Sequence, residues 1–395
     1  MGLNATPSAN RIHIALFGKR NAGKSSLINR ITNQDLAVVS DIPGTTTDPV
    51  MKSMELLPLG PVVIIDTPGF DDLGELGEKR VEKTVDILSK TDIALLVTEG
   101  TDELDDDEKN MIALFSKKKI PYIIVRNKSD INADIRLSDC EIAVSAKNGL
   151  GVEELKEKIA SLSKNFEKEV MIVGDLIAPG DNVVLVIPID SSAPKGRLIL
   201  PQQQVIRDIL DHGGIVTMTK DDRYAKCLES LGEKPSLVIC DSQVFGKVSK
   251  ETPRDIRLTS FSILMARMKG FLEIAVKSAS KIGELTSDDT VLICEGCTHH
   301  RQCEDIGTVK IPTKIRQITG QNPNFEFTSG SGFPKELSSY SLIIHCGGCM
   351  ITEREVASRM EQAQKEGIPF TNYGTALAYM NGILARSTEM FEFKK

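Results

Sequence analysis

The sequence predicts an α/β protein of three domains: an N-terminal P-loop domain followed by two smaller α/β domains with mainly parallel sheets. Three observations carry this prediction. A chain of 395 residues is too long for one ordinary domain. A glycine-rich loop joins an apolar run to a helix start near residue 20. Strand-like and helix-like stretches then alternate, which indicates parallel sheets. We place the domains at residues 1–166, 167–263 and 264–395.

The composition excludes several classes of protein. The net charge of −7 lacks the basic excess of a dedicated nucleic-acid binder. No apolar run reaches the roughly 18 residues of a membrane span, and the N-terminus has no signal pattern. We therefore expect a cytoplasmic protein that binds neither nucleic acid nor membrane. Its eight cysteines favour metal binding or buried thiols over disulfides.

Residues 18–25 match the pattern G-x4-G-K-S between an apolar run at 11–17 and a helix start. In such a P-loop, backbone N–H groups and the helix N-terminus surround phosphates. Lys24 would place its charge at the β- and γ-phosphates, and the Ser25 hydroxyl would bind Mg²⁺. The predicted phosphate-binding residues are Gly18, Asn21, Ala22, Gly23, Lys24, Ser25 and Ser26.

Two patterns later in the chain indicate which nucleotide base is bound. Asn127, Lys128 and Asp130 form N-K-x-D after an apolar run. The Asp130 carboxylate can accept hydrogen bonds from guanine N1 and N2, a donor pair that adenine lacks. The stretch Ser145, Ala146 and Lys147 resembles the loop whose backbone amide meets guanine O6. In this order and spacing, the motifs favour GTP over ATP.

Asp66 and Gly69 form a D-x-x-G pattern at the end of the apolar run 62–65. Asp66 would hold Mg²⁺ through water, and Gly69 would sense the γ-phosphate. The polar stretch 43–48 suits a switch loop. The segment resembles the potassium-activated branch of translation-factor-type GTPases. That resemblance implies that Thr46 binds Mg²⁺, that Asn21 helps to hold K⁺, and that Lys24, Thr46 and Asp66 form the catalytic set.

Phe70 follows Gly69, at a position where many small GTPases carry a glutamine that orients water. A phenyl ring cannot orient water by hydrogen bonding. We therefore expect slow hydrolysis that is helped by a monovalent cation or a partner. The alternative is that another polar residue of the switch loops takes over.

The middle domain carries no P-loop, metal-ligand spacing or catalytic constellation, which suggests a structural role such as self-association. The last domain is predicted to begin with one amphipathic helix over 264–279. Two apolar strands follow, and each ends in cysteine and histidine. Because open α/β sheets bind ligands at the carboxyl ends of their strands, we expect these two ends to meet at one edge.

The candidate metal ligands there are Cys294, Cys297, Cys303, Cys346, Cys349, His299, His300 and His345. Cys294 ends an apolar strand and is expected to face the core. A structural zinc would take three or four Cys/His ligands. An iron–sulfur cluster would take three thiolates and leave one iron for a weaker ligand. The thiol count alone leaves both open.

The two cysteine motifs behind a GTPase domain, with the stretch 175–181, resemble the FeFe-hydrogenase maturation GTPase family HydF over essentially the whole chain. The resemblance implies a dimerisation domain and a domain that binds a 4Fe–4S cluster. It also implies a scaffold or carrier for the di-iron precursor of the hydrogenase active site. The implied partners are a second copy of the chain, two radical-enzyme maturases and the apo FeFe-hydrogenase.

By the same resemblance, Cys297, Cys346 and Cys349 are the thiolate ligands of the cluster. The fourth ligand stays open between Glu304, His299 and His345. We favour Glu304, because a carboxylate is harder than a thiolate or imidazole and exchanges more readily at iron–sulfur centres. A solvated acid at a helix start is the alternative reading of Glu304.

A second function fits the first third of the chain equally well: a GTPase for RNA modification or ribosome assembly with a structural zinc. The acidic charge balance and the paired Cys/His motifs favour the first function.

We expect GTP turnover to be faster in potassium than in sodium, because Phe70 cannot orient the attacking water and a bound monovalent cation would assist hydrolysis instead. Phosphate release at matched ionic strength measures this. Equal rates in the two salts would remove the cation from the mechanism.

Overall fold

A computed structural model describes residues 8–32, 49–70, 84–100, 103–131, 137–163, 171–189, 196, 198–296, 305–330 and 332–393. The chain divides into two compact units, Met1–Lys168 and Glu169–Lys395. Within the described residues, no helix has both the length and the apolarity to cross a membrane.

The first unit contains one six-stranded sheet in the order β2-β3-β1-β4-β5-β6. Only β2 runs antiparallel to its neighbour. The strands are β1 Ile12–Phe17, β2 Val50–Leu56, β3 Gly60–Asp66, β4 Ile93–Glu99, β5 Tyr122–Asn127 and β6 Glu141–Ala143. Its described helices include α1 Lys24–Thr32, α2 Asp106–Lys117 and α3 Val152–Ser163, and residues 84–88 are also helical.

Both faces of this sheet are covered. Ile14 and Leu16 of β1 belong to one buried cluster, whereas Ala15 and Phe17 belong to another. Because successive side chains of a strand point to opposite faces, the two clusters lie on opposite sides of the sheet. This explains why β1 is a continuous apolar run.

The second unit contains two four-stranded parallel sheets, with strand orders β10-β9-β7-β8 and β12-β11-β13-β14. The first sheet comprises β7 Asn182–Val186, β8 Ile215–Thr219, β9 Leu237–Cys240 and β10 Arg257–Ser260. The second comprises β11 Thr290–Glu295, β12 Asn324–Ser329, β13 Leu342–His345 and β14 Phe370–Asn372. The predicted α/β class with mainly parallel sheets is confirmed.

The helices of this unit lie between and after the strands. They are α4 Leu200–Asp211, α5 Tyr224–Ser230, α6 Phe245–Glu251, α7 Phe261–Met268, α8 Leu272–Ala279, α9 Ile311–Thr319, α10 Glu353–Lys365, α11 Tyr373–Met380 and α12 Leu384–Thr388. The single helix predicted over 264–279 is wrong, because α7 and α8 are separate. Gly270 adopts φ 77°, a left-handed conformation that ends α7.

The two sheets of the second unit share one core. Val183 and Leu258 of the first sheet and Leu292 and Ile343 of the second belong to the same buried cluster. The predicted boundary at 263/264 falls inside α7, which packs into this core.

The two sheets also agree in strand order and register. In each, the first strand pairs with the second on one side and the third on the other, and the fourth lies beyond the third. Val183 lies opposite Leu237, and Val291 lies opposite Leu342. Three residues further along, Val186 faces Cys240 and Cys294 faces His345. The same chain path therefore occurs twice.

The helices that follow the two fourth strands, α7 and α11, pack on each other. The Gly374 backbone N–H donates to Ser262 Oγ at 3.1 Å. A Cβ at Gly374 would lie 2.9 Å from the Ile263 nitrogen and 2.9 Å from the Ser262 Cβ. Only glycine permits this approach.

We expect Gly374→Ala to destabilise the second unit by about 1–3 kcal/mol, because the added methyl group meets backbone that cannot move aside. Urea unfolding followed by tyrosine fluorescence measures this, since every tyrosine except Tyr122 lies in that unit. Gly232→Ala is the matched control, because nothing lies within 4 Å of its added Cβ. Equal midpoints for the two variants would contradict the close approach.

Candidate nucleotide and metal sites

The P-loop joins β1 to α1 and is held by two close approaches. A Cβ at Gly18 would lie 2.2 Å from the Val97 carbonyl oxygen of β4. Gly23 has φ 90°, and a Cβ there would lie 2.2 Å from Asn127 Nδ2. The Lys24 ammonium donates to the carbonyl oxygens of Gly18 at 2.8 Å and Lys19 at 2.7 Å. It therefore lies over the loop, where a phosphate would compete for it.

Asp66, at the end of β3, faces the start of α1. The Ser25 hydroxyl donates to Asp66 Oδ2 at 2.7 Å. The other carboxylate oxygen, Oδ1, is buried and has no hydrogen-bond partner among the described residues. Burial raises the pKa of Asp66, while the Ser25 hydroxyl and the Lys24 charge oppose that rise. Hard oxygen ligands grouped in this way suit Mg²⁺ and its water shell.

Asn127 connects the loops on either side of the base position. Its side-chain amide donates to the Ala22 carbonyl at 2.9 Å and accepts from the Ala146 backbone N–H at 3.0 Å. Arg30 of α1 also donates to the Ala146 carbonyl at 3.0 Å and to that of Lys147. The P-loop and the 145–147 loop are thereby fixed relative to each other.

Asp130 is exposed at the mouth of this site. The Ser145 hydroxyl donates to its Oδ1 at 2.7 Å, and this bond lowers the pKa of Asp130 below its ordinary value. Lys128 adopts φ 62°, and its ammonium pairs with Glu99 at 2.6 Å. The carboxylate is therefore ionised and oriented, as an acceptor for two ring N–H groups must be.

Of the remaining residues predicted for this site, three are described by the structure and one is not. Asn21 adopts a left-handed φ of 60°, Ser26 lies in the first turn of α1, and Gly69 follows β3. Thr46 lies outside the described residues.

One ion pair of this site was not predicted from the sequence. Lys19 of the P-loop pairs with Asp105, whose side chain caps α2 by accepting from the backbone N–H groups of Asp107 and Glu108. The bond to Asp105 raises the pKa of Lys19. Residues 102–108 form an acidic run in the sequence, but the run does not indicate which cation it pairs with.

The expected meeting of two cysteine-bearing strand ends is present. β11 and β13 are parallel neighbours, and the Cys346 backbone N–H donates to the Cys294 carbonyl at 2.8 Å. Cys294 itself is fully buried in the core, as expected, and burial raises its pKa to about 12. The ligand candidates therefore lie beyond Cys294, at the edge itself.

The Cys346 sulfur accepts two backbone N–H groups, from Gly296 at 3.1 Å and from Gly348 at 3.3 Å. Gly348 has φ 67°, which lets the chain turn back over the sulfur. Such donors stabilise a thiolate. The chemistry of this cradle fits a thiophilic metal centre, including an iron–sulfur cluster.

Cys349 lies half-buried on the same loop. Burial and the neighbouring Cys346 raise its pKa to about 12, and the charge of Lys269 opposes that rise. The Lys269 ammonium, itself buried, donates to the Ile351 carbonyl at 3.0 Å. Burial also raises the pKa of the Cys346 thiol, against the effect of the Gly296 and Gly348 N–H groups, so metal binding by these thiols would release protons.

His345 points into the protein. Its Nδ1 donates to the Cys346 carbonyl at 2.8 Å, and its Nε2 accepts from Arg359 at 3.1 Å, which assigns the Nδ1–H tautomer. Arg359 also pairs with Glu355 at 2.7 Å. Burial and the Arg359 charge lower the pKa of His345 to about 3. A ligand role for His345 would require breaking one of its two hydrogen bonds.

Three residues close to this edge were missed by the sequence analysis: Lys269, Arg359 and Glu295. Glu295 is buried and accepts from the Tyr373 hydroxyl at 3.2 Å. Arg359 lies on α10, whose many charged residues are typical of a solvent-exposed helix, so its burial cannot be predicted from the sequence alone.

Among the described residues, no three His, Cys, Asp or Glu side chains group as a metal-ligand set. Cys297, His299 and Glu304 lie outside the described residues, as do His300 and Cys303.

Family models match nearly the whole chain. A hydrogen maturase F dimerization domain matches residues 172–270, and a hydrogen maturase F tetramerization domain matches residues 273–390. Together they cover more than half of the chain. This chain belongs to the hydrogen maturase F (HydF) family. A third model, for a 50S ribosome-binding GTPase, matches residues 13–128. The HydF chain therefore carries a GTPase domain followed by a dimerization domain and a tetramerization domain.

Several curated relatives match about two fifths of the chain. The tRNA modification GTPase MnmE of Geobacter sulfurreducens is 33% identical over 154 residues, which is 38% of this chain and 33% of MnmE. GTPase Der of Kosmotoga olearia is 32% identical over 176 residues, 40% of either chain. The HydF chain thus spans between a third and two fifths of the length of these relatives.

Two solved structures are also similar. Aquifex aeolicus Era is 18% identical and covers 56% of this chain and 98% of its own, with a TM-score of 0.33. NFeoB of S. thermophilus is 23% identical and covers 39% of this chain and 64% of its own, with a TM-score of 0.32. With TM-scores below 0.5, these similarities do not bear on function.

We expect Asp130→Asn to weaken GTP binding by about 100-fold or more, because two charge-assisted hydrogen bonds of about 1.5–3 kcal/mol each are lost. Xanthosine triphosphate, which presents an oxygen in place of the N2 donor, should gain affinity. Titration with fluorescent analogues of both nucleotides measures the exchange. Asp139→Asn, an exposed neighbour in sequence, should change neither affinity. An unchanged GTP affinity in Asp130→Asn would place the base elsewhere.

Proposed function

We propose that this HydF-family protein is a GTPase that serves as scaffold or carrier in assembly of the FeFe-hydrogenase active-site di-iron cofactor. The observation that carries the proposal is the pair of hydrogen maturase F domains behind a GTPase domain, with a two-cysteine loop at the edge of the last sheet. The di-iron precursor is cargo on this reading and stays only transiently.

In the proposed GTPase cycle, the P-loop and Lys24 hold the phosphates, while Ser25, Thr46 and Asp66 hold Mg²⁺. The contact between Ser25 and Asp66, with its unpartnered oxygen, supports the magnesium role. Turnover is slow because Phe70 offers no hydrogen bond to water, and K⁺ held with the help of Asn21 accelerates it.

In the proposed metal site, Cys297, Cys346 and Cys349 hold a 4Fe–4S cluster. The two N–H donors on the Cys346 sulfur support this assignment. When bound, the cluster supplies an iron with one exchangeable position, where Glu304 is our choice of fourth ligand and His299 and His345 are the alternatives. The chain's own part is to neutralise and orient the thiolates and to keep that position open.

The two oligomerization domains support self-association. We extend this to a homodimer in the cytoplasm that meets two radical-enzyme maturases and the apo FeFe-hydrogenase.

A second candidate is a GTPase for RNA modification or ribosome assembly with a structural zinc. The similarity to MnmE and Der favours it for the first unit. That similarity covers 38–40% of this chain, whereas a hydrogen maturase F model covers the residues that carry the cysteine loop.

We expect protein purified without oxygen to hold about four iron and four sulfide per chain, and Cys346→Ala or Cys349→Ala to lose most of both. Cys140→Ala, which removes an exposed thiol, should retain them. Elemental and acid-labile sulfide analysis gives the contents. Stoichiometric zinc, or no metal at all, in the wild-type protein would overturn the maturation role and favour the second candidate.

A further inference from the structure

A buried polar network lies against the cysteine loop, residues 346–351. The Arg359 guanidinium donates to His345 Nε2 at 3.1 Å. It also donates to Glu355 at 2.7 Å and to the Gly330 carbonyl at 2.5 Å. His345 is fully buried, and Arg359 is only 4% exposed. The network therefore joins the end of β13 to α10 and to the residue that follows β12.

Arg359 determines which nitrogen of the His345 ring carries the proton. A guanidinium has N–H donors and no acceptor, so His345 Nε2 must accept and the ring proton lies on Nδ1. From there it is donated to the Cys346 carbonyl at 2.8 Å. In the other tautomer both contacts would be repulsive, because Nε2–H would face a donor and the Nδ1 lone pair would face a carbonyl oxygen. Arg359 thereby stabilises the bond between the ring and the first peptide of the cysteine loop.

The bonded carbonyl sets the direction of the peptide that follows Cys346. In a trans peptide the N–H points opposite to the C=O, so a carbonyl turned towards His345 turns the Gly347 N–H away from it. The next N–H, that of Gly348, donates to the Cys346 sulfur at 3.3 Å. The ring itself stacks on Phe370 with 5.6 Å between centroids, and a Cβ at Gly348 would lie 3.9 Å from His345 Cε1. The imidazole is thus held in place on the side of the loop from which the backbone donors of the sulfur are oriented.

The repeated chain path identifies counterparts of these residues in the other half of the second unit. The Asp241 N–H donates to the carbonyl of the last residue of β7 at 3.2 Å. The Cys346 N–H donates to Cys294 of β11 in the same way. Asp241 therefore occupies the place of Cys346, and Cys240 before it occupies the place of His345.

The counterpart Cys240 has a simpler environment. It is fully buried, and its thiol donates to the Thr259 carbonyl at 3.8 Å. A small, weakly polar side chain therefore suffices to complete this strand end. Burying a guanidinium with a carboxylate costs desolvation free energy that their pairing need not recover. The network stands in the half that carries Cys346 and Cys349, which points to a role at those thiols.

We propose that Arg359 is a positioning residue of the metal site. It acts through His345: the tautomer that Arg359 stabilises holds the Cys346 carbonyl, and the peptide fixed in this way keeps the backbone donors on the sulfur that binds the metal. This deepens the proposed function and rests on it for the identity of the metal centre. The role of Arg359 itself applies to any metal ion that these thiolates hold.

The first test is made on the full chain without metal. Ring ¹⁵N labelling of histidine shows by two-bond ¹H–¹⁵N correlations which nitrogen is protonated, and His345→Phe identifies the signal of His345 among the five histidines. We expect the proton on Nδ1 in the wild type and a loss of this preference in Arg359→Met, which removes every donor. A wild-type ring protonated on Nε2 would overturn the proposal.

The second test measures the Co²⁺ affinity of the full chain through the thiolate-to-cobalt charge-transfer absorption. We expect Arg359→Met to weaken this affinity by about 10-fold or more, as is usual for residues that support metal ligands. Arg359→Lys, which keeps the charge and a donor, should lose less. Lys365→Met is the matched control, because it makes the same exchange of a cation at an exposed position of α10 and should bind Co²⁺ as the wild type does.

A double-mutant cycle separates positioning from general stabilisation of the fold. If Arg359 acts through His345, the double variant Arg359→Met/His345→Phe should lose no more affinity than His345→Phe alone. Additive losses of binding free energy, an unchanged affinity in Arg359→Met, or a wild-type chain that binds no Co²⁺ through its thiols would overturn the role of Arg359. A wild-type chain that binds Co²⁺ but assembles no iron–sulfur cluster would remove the maturation function, while Arg359 is still judged by the cobalt affinities and the ring tautomer.

Discussion

The parallel pairing of β11 with β13 is the constraint on which the metal site depends. It places Cys294 opposite His345, so the residues that follow both strands emerge together at one edge. Cys294 and His345 face inward, and the partly buried Cys346 and Cys349 follow at that edge. A shift of one residue in this register would exchange the side chains of the two buried faces of the strand and would separate the Cys346 N–H from the Cys294 carbonyl.

In the GTPase unit, Asn127 likewise holds together segments that are distant in sequence. Its amide meets Ala22 of the P-loop on one side and Ala146 on the other, so phosphate and base regions are held by one side chain. Gly23 is required beside it because any Cβ would displace that amide. The P-loop and the two base motifs are therefore held together by hydrogen bonds, although more than one hundred residues separate the first from the others.

The sequence predicted the α/β class, the nucleotide motifs and the meeting of the cysteine-bearing strands, since these depend on local patterns and on the rule that places ligands at strand ends. It did not predict the break at Gly270, because a glycine near a helix end looks the same whether it ends the helix or lies within it. Lys269 and Arg359 were also missed. Their roles depend on burial by elements distant in sequence, which a local sequence pattern does not report. The repeated path was missed for a related reason: its equivalences are hydrogen bonds and registers, whereas few of the paired residues are identical.

The packing of α7 on α11 has a consequence for the origin of the second unit. Ser262 and Gly374, which touch each other, stand at the same place in their respective halves. Contact between equivalent positions is the signature of an approximate two-fold axis. A gene duplication that fused two copies of a self-associating ancestor would leave such an axis inside one chain. Later substitutions in a single copy would then leave Cys346 and Cys349 in one half where Asp241 and Val244 stand in the other.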